Sequence, residues 1–138
     1  MKIIVSFFFL QFLCLTVWAE DSGVRWLDCN VSITKIADDT QTPRLGRVGY
    51  SVRYLKDSRT GWDSAAISSD LAYYRPDICE LTALEIHCSE VGPKLLKTVI
   101  LNRASGEVFE YYHPTVKHGD PMGQVRRGYC TVSDKPKF

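Results

Sequence analysis

Glu85, His87 and His113 are the side chains whose types could carry acid–base chemistry. Glu85 and His87 stand two residues apart in a segment that alternates apolar and polar positions. A strand would place both on one face, with the carboxylate as base and the imidazole as acid. The same spacing describes an ordinary solvated sheet face. His113 stands just ahead of Pro114, where it is either a general acid or a plain histidine at a strand end. Arg44, Arg47, Arg53 and Lys56 fall on the polar side of a segment with helical spacing and could grip phosphates. Lys117, Arg126 and Arg127 add positive charge near the C-terminus. Tyr73, Tyr74, Phe109, Tyr111 and Tyr112 could stack on bases, or could fill a core and its cross-strand pairs.

These groups must be positioned by a small exported domain. Met1 and Lys2 are followed by an almost unbroken apolar run over residues 3–18, which is the layout of a secretory signal peptide. Val17 and Ala19 are the small residues a signal peptidase reads, so cleavage is expected after Ala19. A single domain, residues 20–138, follows. With Lys2 removed, the 17 basic residues of the full chain fall level with its 16 acidic ones. That neutral balance argues against general electrostatic affinity for nucleic acid or membrane. Cys14 leaves with the signal, and Cys29, Cys79, Cys88 and Cys130 remain. Four cysteines in a short exported chain imply a disulfide framework with three possible pairings. Joining Cys29 to Cys130 and Cys79 to Cys88 is the simplest. No C-x-x-C spacing points to zinc, and no cofactor is expected. Asn30-Val31-Ser32 is an N-glycosylation sequon, awkwardly placed beside Cys29 on an expected strand.

Residues 24–33 are rich in β-formers and read as a first strand. Thr42 and Pro43 form a helix-start signal, and Leu45, Val48, Val52 and Leu55 then recur at steps of three and four. This spacing predicts a helix over residues 43–56, against which Gly46 and Gly49 count at about 1 kcal/mol each. Strands are expected over residues 71–74, 81–88 and 94–102. Residues 103–106 form a hairpin turn, and residues 107–112 the returning strand. A loop over residues 114–123 leads to a last strand at 129–132, and the final residues read as a tail. The expected class is α+β, a single helix packed on a curved antiparallel β-sheet, stapled by disulfides.

Several segments carry a resemblance. An aromatic residue precedes the first cysteine in Trp26-Leu27-Asp28-Cys29. A hairpin runs from Thr98-Val99-Ile100-Leu101-Asn102 through Gly106 to Phe109, and Tyr129-Cys130-Thr131 comes near the end. In these features the chain resembles the RNase-like effectors secreted by powdery mildew fungi, built on the fold of the small guanyl-specific fungal ribonucleases. The resemblance implies a microbial ribonuclease-like fold with a glutamate base and a histidine acid. Glu85 would be the base, and His113, eleven residues beyond Asn102, the acid. It also implies a Tyr-x-His-x-Tyr segment and an arginine, at positions where this chain has Val52 and Thr98. Loss of one charge-stabilising donor costs ~10²–10³ in rate.

The resulting expectation is a secreted, catalytically inactive ribonuclease-like effector, delivered into the cytoplasm of plant host cells. There it would bind a host plant protein, or RNA, and be recognised by an intracellular immune receptor. It is expected to be monomeric and to need no membrane. Arg44, Arg47, Arg53, Lys117, Arg126 and Arg127 are its candidate contact residues. The alternatives are an active secreted endoribonuclease or ribotoxin using His113 and Glu85, and an extracellular inhibitor or cell-wall binder sharing the disulfide format.

Overall fold

The computed structural model describes residues 23–36, 43–56, 63–114 and 123–133. The expected export signal, Lys117 and the tail beyond residue 133 lie outside them. The described chain forms nine strands: β1 (Val24–Lys35), β2 (Arg44–Lys56), β3 (Asp63–Ser68), β4 (Tyr73–Tyr74), β5 (Cys79–Leu81), β6 (Glu85–Val91), β7 (Leu95–Asn102), β8 (Glu107–Pro114) and β9 (Gln124–Ser133). The only helical element among the described residues is the 3-10 turn Pro76–Ile78 between β4 and β5.

All nine strands belong to one antiparallel sheet in the order β4-β3-β2-β1-β9-β8-β7-β6-β5. Every sequence neighbour is also a spatial neighbour, apart from the two short strands at the ends of the row. β1 and β9 pair with each other over ten register positions, which joins the chain's two ends in the middle of the sheet. The sheet curls until β5 packs beside β3, giving a nearly closed barrel with a seam between β3–β4 and β5. Closure of this kind leaves little unpaired edge.

The expected helix over residues 43–56 is a strand, and the ribonuclease-like α+β arrangement is replaced by a barrel with, among the described residues, no helix packed on its sheet. The residues explain the correction. Val48, Tyr50 and Val52 alternate strictly into the interior at 6%, 2% and 1% exposure. Valine and tyrosine suit a pleated surface, while the two glycines weaken a helix. The helical spacing of Leu45 and Leu55 was a coincidence of period; Leu45 is 86% exposed on the outer face. The strands expected over residues 24–33, 107–112 and 129–132 are present and longer, those over 71–74 and 94–102 are shorter, and the one over 81–88 divides into β5 and β6. Residues 61–69, which read as loop, contain β3, whose Ala65, Ala66 and Ile67 are buried.

Inward-facing positions alternate along every long strand. Cys29, Val31, Val48, Val52, Ala65, Ile67, Ile86, Cys88, Val99, Leu101 and Val108 make the apolar core. Both disulfides sit between directly opposed residues. Cys29 pairs with Cys130 across β1–β9, and Cys79 with Cys88 across β5–β6. At Gly106, φ is +77° in the turn from β7 to β8, and a Cβ there would lie 2.5 Å from the Cys130 carbonyl oxygen. Only glycine combines that dihedral with so close an approach.

Candidate functional site

The barrel separates the residues singled out from the sequence. Glu85 lies opposite Asn102 and His113 opposite Leu96, on either side of β7. Six residues of β7 divide the two levels, about 20 Å at the rise of an antiparallel strand. Neither can hand a proton to the substrate atom the other serves. Glu85 and His87 do share the outer face, as alternation requires. His113 has its Nδ1 buried with no hydrogen-bond partner among the described residues, and a Cβ on Gly123 would come within 2.8 Å of that atom.

The expected basic patch is also dispersed. Arg47 and Arg53 lie on the outer face of β2, six residues apart, and Arg44 is exposed at the start of the strand. Arg47 pairs with Asp28, which holds its guanidinium above the usual arginine range, chiefly through the hydrogen bond to that carboxylate. Arg127 lies on the outer face of β9 with its guanidinium 4.9 Å from the Phe109 ring centroid. Arg126 points the other way, into the barrel. Of the aromatics, Tyr73 is exposed, whereas Tyr74 is fully buried. Asn30 of the sequon is exposed on the outer face of β1, between Arg47 and Tyr129 in register. The place expected to be awkward for a glycan is open to solvent.

Two interior features were not anticipated. The first is a polar cluster in the half of the barrel nearer the start of β2. Glu110 of β8 is fully buried. Its Oε1 accepts the Tyr50 hydroxyl at 2.8 Å, and its Oε2 accepts the Tyr74 and Ser69 hydroxyls at 2.8 and 2.9 Å. The Arg126 guanidinium lies 3.5 Å from Glu110 and bonds both carboxylate oxygens of Asp70. Burial, followed by the nearby Glu110 charge, pushes both tyrosine hydroxyls well above the ordinary phenol range. The hydrogen bond from Arg126 is the largest influence lowering Asp70. Every carboxylate oxygen of Glu110 has a donor, so this cluster reads as a satisfied plug.

The second feature is the opposite end, where β1 begins and β9 finishes. There the barrel opens into a cavity of about 1070 Å³. Leu27, Val52, Leu81, Leu101 and Val132 supply an apolar wall. Tyr54, inward-facing on β2, stands in the mouth with the guanidinium of Arg103 5.4 Å and that of Arg25 5.8 Å from its ring centroid. The β7–β8 turn fixes Arg103. Its backbone N–H donates to the Leu84 carbonyl at 2.7 Å, and its Nη1 donates to the Thr82 carbonyl at 2.7 Å. The Thr82 hydroxyl accepts the Leu84 and Glu85 amides, which rigidifies the turn that Arg103 rests on. Arg25, Lys56 and Arg103 are the cations among the described lining residues, against the single acid Asp63.

This mouth could accept a small molecule, because a concave apolar wall with a few convergent polar groups is the usual form of a ligand site. Sequence reasoning passed over its residues. Arg103 read as turn, Tyr54 as helix, and Arg25 as the entry to a strand. The only available signal was the density of cations at segment ends, which does not show that those ends meet. In comparisons with protein-family models, curated proteins and solved structures, the chain matches none.

Proposed function

We propose that this chain is an exported, non-catalytic binding protein that takes a small ligand into the open end of its barrel. The observation that carries the reading is the cavity itself, with an apolar wall on one side and, at its mouth, Arg103 held by the Tyr54 ring and the Thr82 carbonyl. The apolar leader and the two disulfides support export. The separation of Glu85 from His113 supports binding over the endoribonuclease alternative.

Of the effector reading, binding is the part that the geometry favours. Action inside a plant cell, on a host protein or RNA and under the eye of an immune receptor, rests on the resemblance of short segments alone.

The test is titration of the purified mature chain with a neutral, environment-sensitive dye such as 1-aminoanthracene, alongside incubation with total RNA. A saturable fluorescence rise at one site per chain is expected, with the RNA left intact. Val132, 66% exposed on the cavity rim, allows a blocking variant that spares the core. Val132→Trp should abolish the rise while leaving the melting temperature unchanged. Failure of the dye to saturate, or RNA cleavage that His113→Ala removes, would overturn the proposal.

A further inference from the structure

From the charge pattern of the same mouth, we infer that its ligand is an amphipathic anion, a molecule with an apolar body and one carboxylate, sulfate or phosphate head. The inference rests on the binding reading above and adds the chemistry of the ligand to it. The body is matched by the wall of Leu27, Val52, Leu81, Leu101 and Val132, and the head by Arg103 with Lys56.

Arg103 is the centre of the argument. Its partners are the Thr82 carbonyl and the face of Tyr54, and among the described residues no carboxylate pairs with it. One of its five N–H donors is committed to Thr82, and the rest of the fork stands beside an apolar wall. A planar fork in that setting is suited to the two oxygens of an anion. Lys56 lies on the same rim, with no ion pair to Asp63 across the β2–β3 ladder. A small inorganic anion would meet the cations but leave the apolar wall uncovered. A purely apolar ligand would gain nothing from the cations.

The other interior cations do not offer this. Arg126 is already held by Asp70 and Glu110, and Lys97 donates to the Tyr73 carbonyl at 2.8 Å while lying over the Tyr74 ring. On the outer wall exposed Leu45 borders a shallower hollow of about 510 Å³, but its cations are engaged, Arg47 by Asp28 and Arg127 by the Phe109 ring.

The experiment displaces the neutral dye with ligands of matched chain length: decanoate, decyl sulfate, decanol and decylamine. Decanoate and decyl sulfate should displace it at concentrations at least tenfold below decanol, and decylamine should be weakest. Raising salt from 20 to 500 mM should narrow the gap between decanoate and decanol, since the rim is solvent-exposed. Arg103→Gln should bring decanoate to the level of decanol, read as the ratio of their displacing concentrations, and a cooperative thermal melt of the variant shows that the barrel is intact. Lys56→Gln, at an exposed side chain, should produce part of the same shift. If the wild-type chain fails to bind the dye, the binding reading falls and the inference with it. If the dye binds but decanoate and decanol compete equally, or Arg103→Gln leaves their ratio unchanged, the anion inference alone is overturned.

Discussion

The Tyr74 hydroxyl donates to the Glu110 carboxylate at 2.8 Å with both residues fully buried, linking the short strand β4 to the opposite wall of the barrel. β4 has only two residues in the sheet, paired with the end of β3. This bond and its partner from Ser69 therefore fasten the seam side of the barrel to β8.

Replacing Glu110 with Ala would strand three hydroxyls and leave Arg126 with the partly exposed Asp70 as its one carboxylate partner among the described residues, beside the Gln124 side-chain oxygen. Breaking a buried charged pair from one side costs about 3–5 kcal/mol, and the loss here should reach that range. Glu110→Gln keeps two heavy atoms in place but turns one acceptor into a donor facing hydroxyls, so it should cost less than Ala. Urea unfolding of both variants checks the order. If Ala and Gln are equally and weakly destabilised, the cluster does not hold the seam.

The same cluster predicts how stability depends on pH. Tyr50 and Tyr74 hold their protons more tightly in the folded chain than the ordinary phenol value of about 10. A raised folded pKa contributes stability that is complete below the unfolded value and lost as pH climbs toward the folded one. The melting temperature should therefore fall from about pH 10 upward, and Tyr50→Phe with Tyr74→Phe should flatten that fall while lowering stability at neutral pH. Asp70 has the opposite sign. Its pKa is lowered by Arg126, so its contribution is present above the usual aspartate value of about 4 and declines as pH drops through the folded value. Asp70→Asn should flatten the acid limb without touching the alkaline one. Thermal melts across both limits test the two claims separately.

The sequence disclosed those parts of the fold whose signals are local. The β7–β8 hairpin was legible because a β-branched run ends at Asn102 and a glycine at 106 closes the turn. The alternation of Ile86 with Glu85 and His87 marked β6, although the strand expected over residues 81–88 divides in two, and of three possible cysteine pairings the simplest is the one found. β2 was misread because its apolar residues fit both periods, and only tertiary closure selects the strand. Glu110 is one of two acids in β8, set between Phe109 and Tyr111, and in isolation it resembles a solvent-facing position like Glu107. Its burial depends on donors from β2, β4 and the segment at Ser69, up to 60 residues away. The mouth is hidden for the same reason, since Arg25, Tyr54 and Arg103 meet only when the sheet curls.

The two disulfides should differ in what they contribute. Cys29–Cys130 closes a separation of 101 residues and Cys79–Cys88 one of 9. The loop-entropy model puts the first at roughly 4–5 kcal/mol and the second at about 2–3 kcal/mol. Replacing each pair by serines should lower the urea midpoint in that order. The β1–β9 ladder surrounds the longer link, so its loss should destabilise the protein without opening the barrel at neutral pH. Peptide mapping of the intact chain supplies the control. Recovery of Cys29 linked to Cys79 or Cys88 would contradict the register of β1 with β9.

Gly128 offers the sharpest test of that register. A Cβ at this position would fall 1.9 Å from the Asn30 carbonyl oxygen and 2.7 Å from the Val31 Cα, both backbone atoms of the neighbouring strand. Gly128→Ala must push β9 away from β1 where they pair most continuously, so it should cost well beyond the ~1 kcal/mol typical of a point substitution. Gly46 provides the comparison. Its added Cβ meets the end of the Ile33 side chain at 3.0 Å, and that methyl group can turn aside. Gly46→Ala should therefore be mild, because on a strand the alanine also relieves some of the entropy that glycine loses on folding. Each variant adds one methyl group opposite Val31, on the two ladders that flank β1. Comparable melting temperatures for both would mean that β1 and β9 do not approach as closely as the register requires.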